Sequence, residues 1–382
     1  MSFFQLGFRP FYTVASIFAI VALVVWLRAF AGFSGTGVYL HSVVWHSHEM
    51  LFGFAAAVIA GFLFTAVANW TGLPTPTGSV LAGLTALWIA ARILILVGPA
   101  PLAAVVDVAF LPAIAVAVAI PIFRSKNVRN YKVLVVVIAL AVVHGIFHLA
   151  SLKISPVGLS RSSLFASIDI LVILLAIVAG RVIPAFTKNA VSEASSRHEP
   201  WVEFVTFAGM ILVVLVSIMP GSWALPSGPT AFLFIVVAAA HATRLGLWDP
   251  IRTVHNPLLW MMPVAYSWIP FAFLLRALSA LSIVPASAWI HAVTIGAFSS
   301  FMLAMMMRST LGHTGRQLVA NRIDMAAFLL LQSAAIVRVI ASIAAGPSYR
   351  FWIVVSSLFW ALAFLLFVVR YLPMLGRARV TD

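Results

Sequence analysis

Twelve long apolar runs follow one another along this chain, at about 12–30, 47–69, 79–98, 101–122, 132–151, 163–185, 201–219, 228–245, 257–277, 287–307, 323–345 and 349–372. Each is long enough to cross a bilayer as a helix, which takes roughly 20 apolar residues. A segment in lipid must satisfy its backbone polar groups internally, so the predicted fold class is all-α, a polytopic transmembrane bundle of about 12 helices. With 63% hydrophobic and 8% charged residues, a water-soluble single-core domain is excluded. No connection is long enough for a soluble domain, and residues 1–382 read as one transmembrane domain in the lipid bilayer. Only Gly98-Pro99-Ala100-Pro101 divides the third run from the fourth. The first run ends in Ala29-Phe30-Ala31, which imitates a signal-peptidase site. Its apolar stretch of nineteen residues is long for a signal peptide, and a retained helix is expected.

Lys and Arg number 23 against 9 for Asp and Glu, an excess that in a soluble protein would suggest nucleic acid. Here the charges are scattered between apolar runs and report topology instead, with no nucleic-acid partner. Sixteen of the basic residues fall on the N-terminal side and the even-numbered connections, six on the opposite side, and Arg338 lies within span eleven. Both termini are therefore expected to be cytoplasmic. The absence of cysteine rules out disulfides, thiolate metal sites and iron–sulfur clusters, leaving His, Met, carboxylate or carbonyl to hold any metal.

With that topology, five of the ten histidines share the outer depth: His46 and His48 opening span two, His144 and His148 in span five, and His291 opening span ten. Polar side chains inside a bilayer are paired, coordinated or facing a cavity, so a layer of histidines is a site hypothesis, whereas a single one more often bonds a headgroup or a neighbouring helix. His144 and His148 are four apart and share a helix face, a spacing that can chelate one metal. Residues two apart do not face each other. His46 and His48 therefore either sit on a non-helical turn or serve two different centres. Glu49 can orient an imidazole, move protons, or simply favour the first turn of a helix. Asp107 and Asp169 are outer-half carboxylates able to do the same work or to neutralise an Arg.

A weak internal repeat accompanies these residues. His48, Gly53, Thr71 and Gly72 recur at identical offsets as His291, Gly296, Thr314 and Gly315. Span six fits the inner part of that frame through Arg181 and Thr187, six apart like Arg308 and Thr314, although Leu164 replaces the His. Spans two, six and ten thus suggest three pseudo-repeated four-helix units, similar to the catalytic subunit of heme–copper oxidases. Gly180 and Pro184 mark a place where span six can break.

Several blocks then resemble the NnrS family: Phe8-Arg9-Pro10-Phe11, Trp45-His46-Ser47-His48-Glu49-Met50, Asn69-Trp70-Thr71-Gly72, Gly180 to Asn189, His291 to Ala297, and Leu311 to Arg316. The resemblance runs in motif order from residue 7 to about 318. It implies a multi-pass protein of the bacterial inner (cytoplasmic) membrane that carries heme and copper, linked to nitric oxide metabolism, denitrification and resistance to nitrosative stress. His46, His48, His148, His291 and His313 match family positions, and His241 fits a less distinctive one. His144 stands where the family has an Asn, and Pro263 where it has a His.

Heme b needs one or two neutral imidazoles and a flat apolar slot, and the Cys-free chain excludes covalent attachment. The expected axial ligands are His48 or His46 from span two and His291 from span ten. Copper then falls to the remaining span-two His with His148, and with His144 or Met50 as further ligands. His241 joins the metal-ligand candidates. Glu49, Asp107 and Asp169 are the candidate catalytic carboxylates. Arg181, Arg308 and His313 belong to an inner cationic cluster that either holds heme propionates or anchors the inner side. The expected function is binding, and as an oxidoreductase reducing, nitric oxide at the outer site, with an electron donor still to be identified and the oligomeric state left open. Two alternatives stand beside it: a non-catalytic sensor or scavenger, and a metal or small-solute transporter.

Overall fold

The computed structural model describes residues 3–33, 37, 39–191, 193–219, 225–344 and 346–380. Helix accounts for 84% of the chain, and no strand occurs among the described residues. Among the described residues, twelve helices are long and apolar enough to span a membrane. They are α1 (Phe8–Phe30), α2 (Ser42–Thr71), α3 (Gly78–Val97), α4 (Ala100–Arg124), α5 (Tyr131–Ser151) and α6 (Gly158–Ala190). The second half holds α7 (Pro200–Ile218), α8 (Ser227–Gly246), α9 (Pro257–Ala280), α10 (Ala286–His313), α11 (Arg322–Ala344) and α12 (Tyr349–Gly376). All twelve sequence runs correspond to helices; residue 345, the last of the eleventh run, lies outside the described residues.

The helix ends follow local chemistry. Gly98 and Pro99 do separate α3 from α4, because Pro99 has no N–H to continue one helix and its φ suits the start of the next. The first helix starts at Phe8, four residues earlier than its apolar run, because Pro10 sits in a first turn whose N–H groups have no intrahelical acceptor. Span six does not break. α6 runs through Gly180 and Pro184 as one helix, and the missing side chain at Gly180 leaves room for the Arg244 guanidinium.

The chain divides into two compact units. The first comprises Met1–Leu171, Ser309–Arg316 and Phe367–Asp382; in it α2 packs on α1 and α4, and α4 packs on α3 and α5. Arg9 donates from its buried guanidinium to the carbonyls of Leu375 and Arg377, satisfying the last turn of α12. The second unit comprises Val172–Arg308 and Gln317–Leu366; in it α8 packs on α7 and α9, and α10 on α9 and α11.

The repeated positions carry repeated structure. Directly after His48, α2 widens into a π-helical segment, Glu49–Ala55; directly after His291, α10 does the same over Ala292–Ser299. Gly72 and Gly315 both adopt a left-handed backbone, φ 69° and 72°, which a side chain would strain. Thr71 and Thr314 each bond back to the carbonyl one turn earlier. α2, α6 and α10 are also the most enclosed helices, with 89%, 78% and 72% of their apolar windows buried. The spacing that relates spans two and ten therefore corresponds to a shared local design, whereas α6 shares only their enclosure.

Candidate metal centre

Four helices of the first unit bring polar side chains to one place. α2 supplies His48 and Glu49, α3 supplies Arg92, α4 supplies Asp107, and α5 supplies His144 and His148. All are buried, none more than 7% exposed. The α5 pair meets on one face because i and i+4 lie one turn apart.

Their ligand atoms form a compact figure. The three Nε2 atoms stand 3.2 Å (His48–His144), 3.3 Å (His48–His148) and 3.1 Å (His144–His148) apart. Asp107 Oδ2 lies 3.0, 3.3 and 3.2 Å from the same atoms of His48, His144 and His148. Six edges of nearly equal length define a tetrahedron. Its centre is about 2.0 Å from every vertex, which matches the ~2.0–2.1 Å of a metal–imidazole bond.

The hydrogen bonds beyond these atoms fix the tautomer of His48 and give His148 a hydroxyl partner. Glu49 Oε1 accepts from His48 Nδ1 at 2.8 Å, and Tyr39 Oη lies 2.9 Å from His148 Nδ1. With Nδ1 as donor, the His48 ring points a bare Nε2 electron pair into the tetrahedron, and the His148 ring does the same when the Tyr39 hydroxyl accepts. Such electron pairs and a carboxylate oxygen at 3.0–3.3 Å repel one another unless a metal cation or a proton lies among them. The donor set therefore fits a metal ion, and imidazole suits zinc, copper, iron or nickel.

Aromatic rings fix the imidazoles. Phe52 stacks on His144 with centroids 3.9 Å apart, and Phe147 on His48 at 5.0 Å. Arg92 joins the two acids: Nη1 donates to Glu49 Oε1 at 2.6 Å, and Nη2 donates to Asp107 Oδ1. Gly53 makes this possible, since a Cβ there would stand 3.1 Å from Arg92 Nη1 and 2.6 Å from Phe18. In the loop before α2, burial and then the Asp107 carboxylate push the Tyr39 hydroxyl above its ordinary pKa, so it remains a neutral phenol. Replacing it as Tyr39→Phe should weaken metal binding about 10- to 100-fold, the usual cost of losing an outer partner of a ligating His. Competition with a chelator measures this, and an unchanged affinity would remove Tyr39 from the site.

The sequence-predicted residues divide accordingly. His48, His144, His148 and Asp107 converge; Glu49 orients His48 and also neutralises an Arg. The helical turn over Ser42–His48 sends His46 elsewhere, and its ring stacks on Trp26 at 4.3 Å. Asp169 is buried on α6 outside the ligand set. In the second unit, His291 Nδ1 bonds the Ser287 carbonyl at 2.7 Å, and His241 Nδ1 bonds the Tyr266 hydroxyl at 2.7 Å. Arg181 is half-buried on α6, and Arg308 lies over the Phe186 ring at 4.0 Å. His313 packs against Phe8 in the first unit. Sequence reasoning missed Arg92 and Tyr39. Arg92 counts as one more topological charge, and a lone loop tyrosine carries no signal.

No curated protein matches this chain. The family described as NnrS protein matches it over residues 2–379. That match covers nearly the whole sequence, including every residue of the tetrahedral cluster, and the chain belongs to the NnrS family.

Proposed function

We propose that this protein is a nitric oxide-binding and nitric oxide-reducing component of the bacterial inner membrane, with copper held by His48, His144, His148 and Asp107 and heme b held by His291. The observation that carries the copper assignment is the tetrahedron of Nε2 and Oδ2 atoms with 3.0–3.3 Å edges. A copper ion there would supply a redox-active Lewis acid for a diatomic ligand.

The chain's own groups do the rest. Glu49 holds His48 in its ligating tautomer through Oε1, while its buried Oε2 has no hydrogen-bond partner among the described residues and offers a place for a proton. Asp169 is a second buried carboxylate for the same work. Reduction also needs electrons, which come from a separate donor. In the second unit, the Ser287 carbonyl takes the Nδ1 proton of His291, so Nε2 is the nitrogen left to ligate iron. The π-helical segment after His291 repeats the one after metal-ligand candidate His48, which supports a ligating role at both positions. Arg308 stands seventeen residues along α10 from His291, about 25 Å at 1.5 Å per residue, so Arg181 and Arg308 act as inner-side anchors in this reading and not as partners of a heme held at His291. His241 takes no metal in this reading: Arg244 donates to Tyr266 at 3.1 Å, Tyr266 gives its own proton to His241 Nδ1, and the imidazole proton stands on Nε2.

One observation favours a second reading. Four protein ligands fill a tetrahedron, as in structural metal sites, whereas catalytic sites keep a position open. With that position closed, nitric oxide would bind at the heme alone, as in a scavenger or sensor that does not consume it. Purified protein should carry near-stoichiometric copper and a heme Soret band. His291→Ala should abolish the Soret band and keep the copper. Nitric oxide consumption over many turnovers by the reduced protein selects the reductase, a single stoichiometric uptake selects the scavenger, and absence of both metals overturns the proposal.

A further inference from the structure

Beyond the ligands, the buried cluster carries a definite charge. Its charged members are the carboxylates of Glu49 and Asp107 and the guanidinium of Arg92, which bridges them, and its three imidazoles must be neutral to ligate. The protein's own groups therefore bear a net charge of −1. All six side chains are buried, and the helices that carry them stand in a hydrocarbon layer. A net charge in such a medium is costly whichever its sign. A divalent ion would leave the cluster at +1, whereas a singly charged ion makes it neutral.

We infer that Arg92 and Glu49 set this site for a monovalent d¹⁰ cation, so that the resident metal is held as Cu(I) and the divalent ion is disfavoured. This rests on the copper reading above and adds the oxidation state and the residues that determine it. Arg92 acts through Asp107 and Glu49 as a positioning residue. It does not touch the ligand position itself, since its Nη2 engages Oδ1 of Asp107 and Oδ2 faces the imidazoles. Cu(I) also tolerates a closed four-ligand tetrahedron, having no geometric preference from its filled d shell. The two second-layer charges have opposite signs, so removing them must move the preference in opposite directions.

The full-length protein in detergent is titrated with Cu(I) kept reduced by ascorbate and, separately, with Cu(II), each against a chelator of known affinity. Wild type should bind Cu(I) at least about tenfold more tightly than Cu(II). Arg92→Met should shrink the Cu(I)-to-Cu(II) affinity ratio at least about tenfold, and Glu49→Gln should enlarge it by a similar factor, as expected for a unit charge one or two hydrogen bonds away at an effective dielectric constant of ~20. Each tenfold change corresponds to 59 mV in the midpoint potential of the one-electron couple. Glu49→Gln keeps an oxygen for His48 and Arg92, so it decides the matter even if Arg92→Met does not fold. Unchanged ratios, shifts in one common direction, or a wild-type preference for Cu(II) overturn the inference while leaving the metal site in place. Failure of wild type to bind either ion overturns the copper reading and the inference together.

Discussion

His144→Ala should empty the metal centre, lowering bound metal from near one per chain to under about a tenth. The substitution removes one of four vertices, leaving three ligands around a hole the size of an imidazole. It also removes the ring on which Phe52 stacks, so the remaining imidazoles lose a wall as well as a neighbour. A structural tetrahedral site owes its affinity to a complete ligand set, and three ligands with one open face hold the ion far less tightly. Metal analysis after gel filtration in detergent checks this. Retention of stoichiometric metal would show that the ion is not held by this tetrahedron. His46→Ala serves as the contrast, because that ring packs on Trp26 outside the cluster and the metal should stay.

Arg244→Met should lower stability strongly and leave that metal untouched. In the second unit the Arg244 guanidinium donates to Glu203 at 2.6 and 2.9 Å, to the Ala176 carbonyl at 2.8 Å and to Tyr266. Its loss leaves a buried carbonyl and a phenol short of a donor and strands the Glu203 carboxylate. Removing one member of a fully buried pair typically costs 3–5 kcal/mol, but Glu203 is 22% exposed and water recovers part of it, so about 2–3 kcal/mol is expected. A fall in thermal midpoint with unchanged metal content is the result to look for. Parallel loss of metal and stability would mean the two units respond as one, against the independent chemistry of their buried clusters.

The helices were legible in the sequence because a spanning segment advertises itself by length and by missing charge. Even the narrow division at Gly98-Pro99 was readable, since proline cannot carry one helix into the next. The α5 chelate was legible for an equally simple reason, the four-residue spacing of His144 and His148. The choice between His46 and His48 was not. Both lie on one short helix on different faces, and only the positions of α4, α5 and Trp26 decide which face meets the carboxylate and which meets an indole. Arg92 hid for a physical reason as well. It sits five residues from the end of α3, where an arginine ordinarily reaches outward to the interface, and nothing along its own helix says that two acids on neighbouring helices hold it inside.

The wide turn after His48 governs where that imidazole ends up. An ordinary helix advances about 100° per residue, so each extra residue absorbed by Glu49–Ala55 swings everything before it by that angle about the axis of everything after it. The outer end of α2 is thereby clocked independently of its inner end: the lower part can obey the packing needs of α1 and α4 while the upper part aims its ring at the acid on α4. The same dial is built into α10 ahead of Ser300, so this sequence owns two places where one residue, gained or lost, re-aims an imidazole without disturbing the rod that carries it.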